Sequence, residues 1–188
     1  MKHASDDKIT ISVPDDWWIS KWDKSEFYRN DVCQMAGGQK AVDILCRPLD
    51  EAGKLVMIEL KDYRTDYNKL MEDLKPGGRL VSEVPQKLLN TLSGLLLGAR
   101  SGNNHFTHET TGILNIDRKI SFYLLLVYTE QSPKIIGTRS RLNVQSLDSM
   151  LENLKQHIRR KLSSKFNIRF TLLIPDQAPA EAWSYTIT

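Results

Sequence analysis

The sequence predicts an α/β (α+β) fold, a mixed β-sheet flanked by helices. Three observations predict it. Short apolar runs with strand character recur along the chain. Two stretches, Leu88 to Ala99 and Leu147 to Leu162, carry apolar residues at helical spacing. Helices and strands then follow the order β-α-β-β-β-α-β-α-β, and helices after strands imply a sheet sandwiched by helices.

Ile9, Ile11 and Val13 alternate with Thr10 and Ser12, a half-buried strand closed by Pro14. Asp15 and Asp16 are capping residues for a helix expected from Trp17 toward Tyr28, with Trp18, Trp22 and Glu26 near one face. Val32 to Ala36 and Gln39 to Arg47 read as strands joined at Gly37-Gly38, because glycine takes the positive φ of a two-residue hairpin turn. A turn at Asp50 to Gly53 leads into 54–63, where Leu55-Val56-Met57-Ile58-Glu59-Leu60-Lys61 is a buried strand ending in charge. Residues 31–63 thus read as a three-stranded meander.

Ser82 and Pro85 open a helix whose Leu88, Leu89, Leu92, Leu95, Leu96 and Ala99 share one face. Residues 100–112 are a loop. Ile120 to Tyr128 is a central strand of apolar and aromatic residues. A polar loop over 130–146 precedes a second helical stripe of Leu147, Met150, Leu151, Leu154, Ile158 and Leu162. Asn167 to Ile174 is a strand closed by Pro175, and Trp183, Tyr185 and Ile187 alternate as an edge strand.

At 188 residues, 40% apolar and 26% charged, the chain reads as one domain over 1–188 that needs neither disulfide nor zinc to fold. The composition excludes collagen, coiled coil and wholesale disorder. No apolar run approaches the roughly 18–20 residues of a membrane span. Met1 to Asp7 is polar and acidic, unlike a signal peptide, and two cysteines make no disulfide scaffold; a reducing cytoplasm is expected. The absence of a Gly-x-x-x-x-Gly-Lys loop and of a nucleophile elbow argues against an NTPase and an α/β-hydrolase. His105-Phe106-Thr107-His108-Glu109 does not follow the helical zinc motifs.

Charge is unevenly spread. Residues 1–62 carry 9 basic and 12 acidic side chains, whereas 132–169 carry 9 basic and 2 acidic. The basic stretch includes Arg139, Arg141, Arg159, Arg160, Lys161 and Lys165. It reads either as a phosphate-tracking patch, which gives affinity without sequence preference, or as a solvated helix face with cations at its C-terminus.

Asp43 interrupts an apolar strand, and Glu59 and Lys61 stand near the end of the next. Strand alternation places Glu59 and Lys61 on the face of Leu55 and Met57. With the hairpin in register, Asp43 lies beside Glu59. Two carboxylates in apolar surroundings repel, and a divalent cation resolves the conflict. Mg²⁺ suits such a pair, completing its shell with water and phosphate oxygens. Of the four acidic-x-Lys triplets in the chain, only Glu59-Leu60-Lys61 lies in a long apolar strand with an aspartate upstream. A plain ion pair at a strand end is the other reading.

Asp43 followed by Glu59-Leu60-Lys61, in an α-β-β-β-α-β order over about 17–174, resembles the PD-(D/E)XK nuclease superfamily, the restriction-endonuclease-like fold. Val42 stands where many members carry proline. The resemblance implies that Asp43 and Glu59 bind Mg²⁺ (or Mn²⁺) with the carbonyl of Leu60, that Lys61 is catalytic, and that Glu26 on the first helix assists. Gln86 matches a site-facing glutamine of the second helix. The implied activity is hydrolysis of DNA phosphodiester bonds, in restriction, phage defence, recombination or repair. RNA shares the same backbone chemistry. At this size a homodimer or a place in a larger complex is expected. The alternatives are an inactive module of this fold that binds nucleic acid or a protein, and a subunit that docks through its tryptophan-rich helix.

Overall fold

The strand expected at 54–63 is present as Leu55–Asp62, at the centre of a five-stranded mixed sheet. The computed structural model describes residues 1–6, 8–35, 38, 40–51, 54–101, 120–129, 138–162 and 166–188, with backbone alone for 35 and 138–146. The elements are β1 (Lys2–Asp6), β2 (Ile9–Val13), β3 (Trp17–Lys21), α1 (Cys33–Met35), β4 (Ile44–Pro48), β5 (Leu55–Asp62), α2 (Tyr67–Asp73), α3 (Arg79–Arg100), β6 (Ile120–Val127), α4 (Thr138–Lys161), β7 (Ile168–Leu173) and β8 (Ser184–Ile187). The large sheet has the order β3-β4-β5-β6-β7, and a second sheet has the order β1-β2-β8. The β3–β4 and β4–β5 pairs are antiparallel, the β5–β6 and β6–β7 pairs parallel.

The two faces of the large sheet meet different partners. Leu55, Met57, Phe122, Leu124 and Leu126 pack against Val84, Leu88 and Leu95 of α3 and Leu151, Leu154 and Ile158 of α4. Ile44, Cys46, Val56, Ile58, Tyr123 and Leu125 pack against Ile9, Ile11 and Val13 of β2 and against Trp183. Among the described residues, helices therefore cover one face only. The other is closed by the small antiparallel sheet, not by the helices expected from the element order. This two-sided burial explains why β5 and β6 are apolar almost throughout.

The first third departs from expectation. Trp17 to Lys21 is a strand, because aromatic and β-branched residues suit a pleated surface and β4 pairs with it from Trp17↔Pro48 to Lys21↔Ile44. Trp17 and Trp22 are buried, and Trp18 lies 5.7 Å beneath the Arg47 guanidinium, so no tryptophan-rich docking helix exists. Residues 26–35 are helical, with π geometry over Tyr28–Val32. Val32 to Met35 is thus not a strand. Gly38 (φ 82°) ends this segment by donating its N–H to the Cys33 carbonyl at 2.8 Å, a helix C-cap and not a hairpin turn. A three-stranded antiparallel meander is present, but its first strand is β3 and not the expected Val32 to Ala36. The polar β1, unpredicted, pairs with β2 from Lys2↔Val13 to Asp6↔Ile9.

Helix α3 begins at Arg79, before the expected Ser82. A Cβ on Gly78 would meet the Asp73 carbonyl oxygen at 2.5 Å, so glycine is required where the chain turns into the helix. Pro85 lies inside α3, where it cannot donate to the Val81 carbonyl one turn back. Lys161 Nζ donates to that carbonyl instead, at 3.1 Å. Helix α4 also starts earlier than read, at Thr138, inside the stretch taken as a polar loop. Residues 102–119, with His105 to Glu109, and Lys165 lie outside the described residues, as do the side chains of Arg139 and Arg141. Among the described residues no helix is long and apolar enough to cross a membrane.

The Lys161 bond predicts a coupling. Lys161→Met should cost about 0.5–1.5 kcal/mol in denaturant unfolding. In a Pro85→Ala background, where α3 supplies its own N–H to Val81, the cost should shrink. Equal costs in both backgrounds would show that the ammonium does not replace the missing helix bond.

Candidate functional site

Asp43 stands one residue before β4, and the Ile44↔Ile58 pairing sets it beside Glu59. Its position is fixed from three directions. The Asp43 carbonyl accepts the Trp22 N–H at 2.9 Å, and its Oδ2 accepts the Leu60 N–H at 2.6 Å. Next to it, the Val42 N–H donates to Thr91 Oγ1 of α3 at 3.0 Å. Asp43 is 6% exposed and Glu59 is fully buried, and both lie on the helix-covered face. The register expected from strand alternation is the register found.

Two cations meet this pair. Lys61 Nζ is 2.7 Å from Glu59 Oε1. Lys87 Nζ of α3 is 2.6 Å from the same oxygen and 3.5 Å from Asp43 Oδ1. Sequence reasoning missed Lys87, although the signal existed. Val84, Lys87, Leu88, Thr91 and Leu95 follow helical spacing and are all buried, so Lys87 is a charge on an apolar face. The leucine stripe drew attention to Leu89, which is exposed.

Burial pushes the Glu59 carboxyl up to about 7; Asp43 adds to the rise, and Lys61 and Lys87 partly offset it. Burial opposes the charge on Lys87, but Glu59 and Asp43 outweigh it and hold the ammonium above the usual lysine value. The cluster is therefore poised to exchange a proton at Glu59 while Lys87 stays charged.

A cleft of about 360 Å³ opens beside Lys87, lined also by Lys40, Ser82, Glu83, Gln86 and Asn90. Gln86 donates to Asn90 Oδ1 at 2.9 Å, and Asn90 donates to the Lys40 carbonyl at 2.8 Å. Arg79 holds the Glu83 carboxyl below its usual range, with help from Lys61 and Lys40. Gln86, the candidate on the second helix, lines this cleft.

The other candidates fare differently. Glu26 is exposed, and no ion pair or hydrogen bond joins it to the cluster among the described residues. The acidic side chain that senses Asp43 is Asp23: burial, then Asp43 and Asp6, raise its pKa. Its Oδ1 is buried with no hydrogen-bond partner among the described residues. Arg159 and Arg160 are exposed; Arg159 Nη2 lies 3.4 Å from the Phe170 carbonyl, and Lys161 is engaged at Val81. Neither arginine lines the cleft, and Lys161 lines a neighbouring groove that shares Ser82 and Gln86.

The donor set suits a hard cation. Glu59 Oε2 is buried and has no hydrogen-bond partner among the described residues. Among the described residues, Asp43 Oδ1 has only the long contact to Lys87. In an extended strand a residue's carbonyl lies on the same edge as its N–H, so the Leu60 carbonyl is on the β4 side of β5. Oxygen donors of this kind fit Mg²⁺. No group of three or more His, Cys, Asp or Glu could hold a metal among the described residues, so water or phosphate would complete the shell. No protein-family model, curated protein or solved structure matches this chain.

The raised Glu59 pKa has a sign. The stability it confers is complete below the unfolded value of 4.5 and is lost as pH rises through about 7. In chelator, wild type should therefore lose about 3 kcal/mol relative to Glu59→Gln between about pH 4 and about pH 8. Denaturant unfolding across that range checks it; a pH-independent difference would mean that Glu59 is ionised throughout.

Proposed function

We propose that the protein is a Mg²⁺- or Mn²⁺-dependent nuclease of restriction-endonuclease-like fold that hydrolyses DNA phosphodiester bonds in the cytoplasm. The observation that carries this reading is the convergence of Asp43, Glu59, Lys61 and Lys87 beside a cleft. The antiparallel β3-β4-β5 meander, followed by a helix and a parallel strand, also agrees with that fold.

In this reading Asp43, Glu59 and the Leu60 carbonyl hold the cation, which when bound supplies Lewis-acid charge to the phosphate and lowers the pKa of a water. Lys61, tied to Glu59, is the cation of the Glu-x-Lys motif. It orients the attacking water and stabilises charge on the phosphoryl oxygens. Water attacks phosphorus and gives up a proton to solvent, the P–O bond to the leaving oxygen breaks, and that oxygen takes up a proton from solvent. Lys40, on the rim of the cleft, contacts the backbone phosphate. Asp23 takes the place that the resemblance gave to Glu26, as the additional carboxylate near Asp43. A second copy or a larger complex would complete the substrate path.

One observation favours a second reading, an inactive module of the same fold that binds nucleic acid or protein. Two carboxylates and two ammoniums already balance in charge, so the cluster can serve as a structural ion network.

The test is cleavage of supercoiled plasmid and of linear single-stranded DNA with Mg²⁺ or Mn²⁺. Asp43→Asn, Glu59→Ala and Lys61→Ala should each lower the rate by about 10²-fold or more, and Glu26→Ala should leave it unchanged. Salt-sensitive DNA binding with no cleavage by wild type would select the second reading.

A further inference from the structure

We infer that Lys87 is a resident cation of the site, holding Asp43 and Glu59 together until a divalent ion takes over, so that metal enters against a built-in competitor. The inference rests on the metal-dependent reading above and goes beyond it by assigning a role to a residue outside the Asp and Glu-x-Lys motif.

The argument begins with reach. Lys61 contacts Glu59 Oε1 at 2.7 Å, but it makes no ion pair with Asp43 among the described residues. Lys87 spans both carboxylates, at 2.6 Å from Glu59 and 3.5 Å from Asp43. Its ammonium is the group that bridges the pair, as a divalent ion would. Burial makes the bridge necessary, since Glu59 is fully buried and its charge needs a close partner. Lys87 is also anchored to the strand it serves. Thr91 Oγ1 donates to the Lys87 carbonyl at 2.8 Å and accepts the N–H of Val42, the neighbour of Asp43.

The bridge and a metal are electrostatic rivals. With Lys87 in place the four charges cancel, and an incoming divalent ion meets an ammonium a few ångströms away. Without it the cluster carries a net negative charge and attracts the ion more strongly. The side chain can yield, because Lys87 lines the cleft of about 360 Å³ and has open space on one side.

The experiment is calorimetric titration of the whole protein with Mn²⁺, alongside thermal melting in chelator. Lys87→Met keeps the stem and removes the charge. It should melt lower in chelator, bind Mn²⁺ at least tenfold tighter, and gain more in melting temperature on adding Mn²⁺ than wild type does. Lys87→Arg, which keeps the charge, should keep the weaker affinity. A merely structural lysine would lower the melting temperature without tightening Mn²⁺ binding, and that result overturns the inference while leaving the nuclease reading intact. Absence of Mn²⁺ binding by wild type and variant alike overturns both. If Lys87→Met does not fold, crystals of wild type grown with and without Mg²⁺ decide: Nζ should leave Glu59 Oε1 when the metal binds, and an unchanged contact overturns the inference.

Discussion

Two carboxylates side by side beneath a helix repel one another, and burial makes the repulsion costlier. Asp43 and Glu59 are in that position, and the surrounding structure answers the problem they pose. Hydrogen bonds from Leu60 and Trp22 fix Asp43, and two ammoniums converge on a single oxygen of Glu59. Breaking such a buried pair by removing one partner costs about 3–5 kcal/mol. Stability alone does not favour the arrangement, since apolar residues of equal volume would pack there at no loss.

Helix α3 brings the site together. Thr91 reaches Val42, Asn90 reaches Lys40, and Lys87 reaches the carboxylates, so one face of one helix addresses the approach to β4 at three points. Its apolar residues pack on the same sheet face, between Leu55 and Leu126. The packing that stabilises the fold therefore also sets the height of Lys87 above Glu59. A shift of α3 by a fraction of a turn would uncouple both at once.

Much of this was legible because it is local. Glu59 and Lys61 stand out as charges in an apolar run, and period-two alternation gives their face and their register with Asp43. Lys87 was equally local but was missed, because Leu88, Leu89 and Leu92 suggested a stripe rotated away from it. Trp17 to Lys21 failed for a different reason. The aspartates before it mimic a helix cap, whereas its strand partner Ile44 to Pro48 lies far along the chain. Lys161 looked like a phosphate contact because nothing near it shows the Val81 carbonyl that Pro85 leaves unpaired, 80 residues upstream. Charge and periodicity report what a residue is beside in sequence; the partners across the fold decided these positions.

The small sheet has a consequence for the order in which the chain is made. Its central strand β2 leaves the ribosome before the large sheet, yet its partner β8 and the buried Trp183 follow every strand of that sheet. Until then Val56, Ile58, Tyr123 and Leu125 have no complete cover on that face. The helix-covered half can assemble before β8 emerges, but the opposite apolar face stays without complete cover until it does. That interval is when a nascent chain is most open to aggregation and to chaperone capture. Closure by β8 thus follows the strands it covers and converts a sticky half-sandwich into a two-sided one.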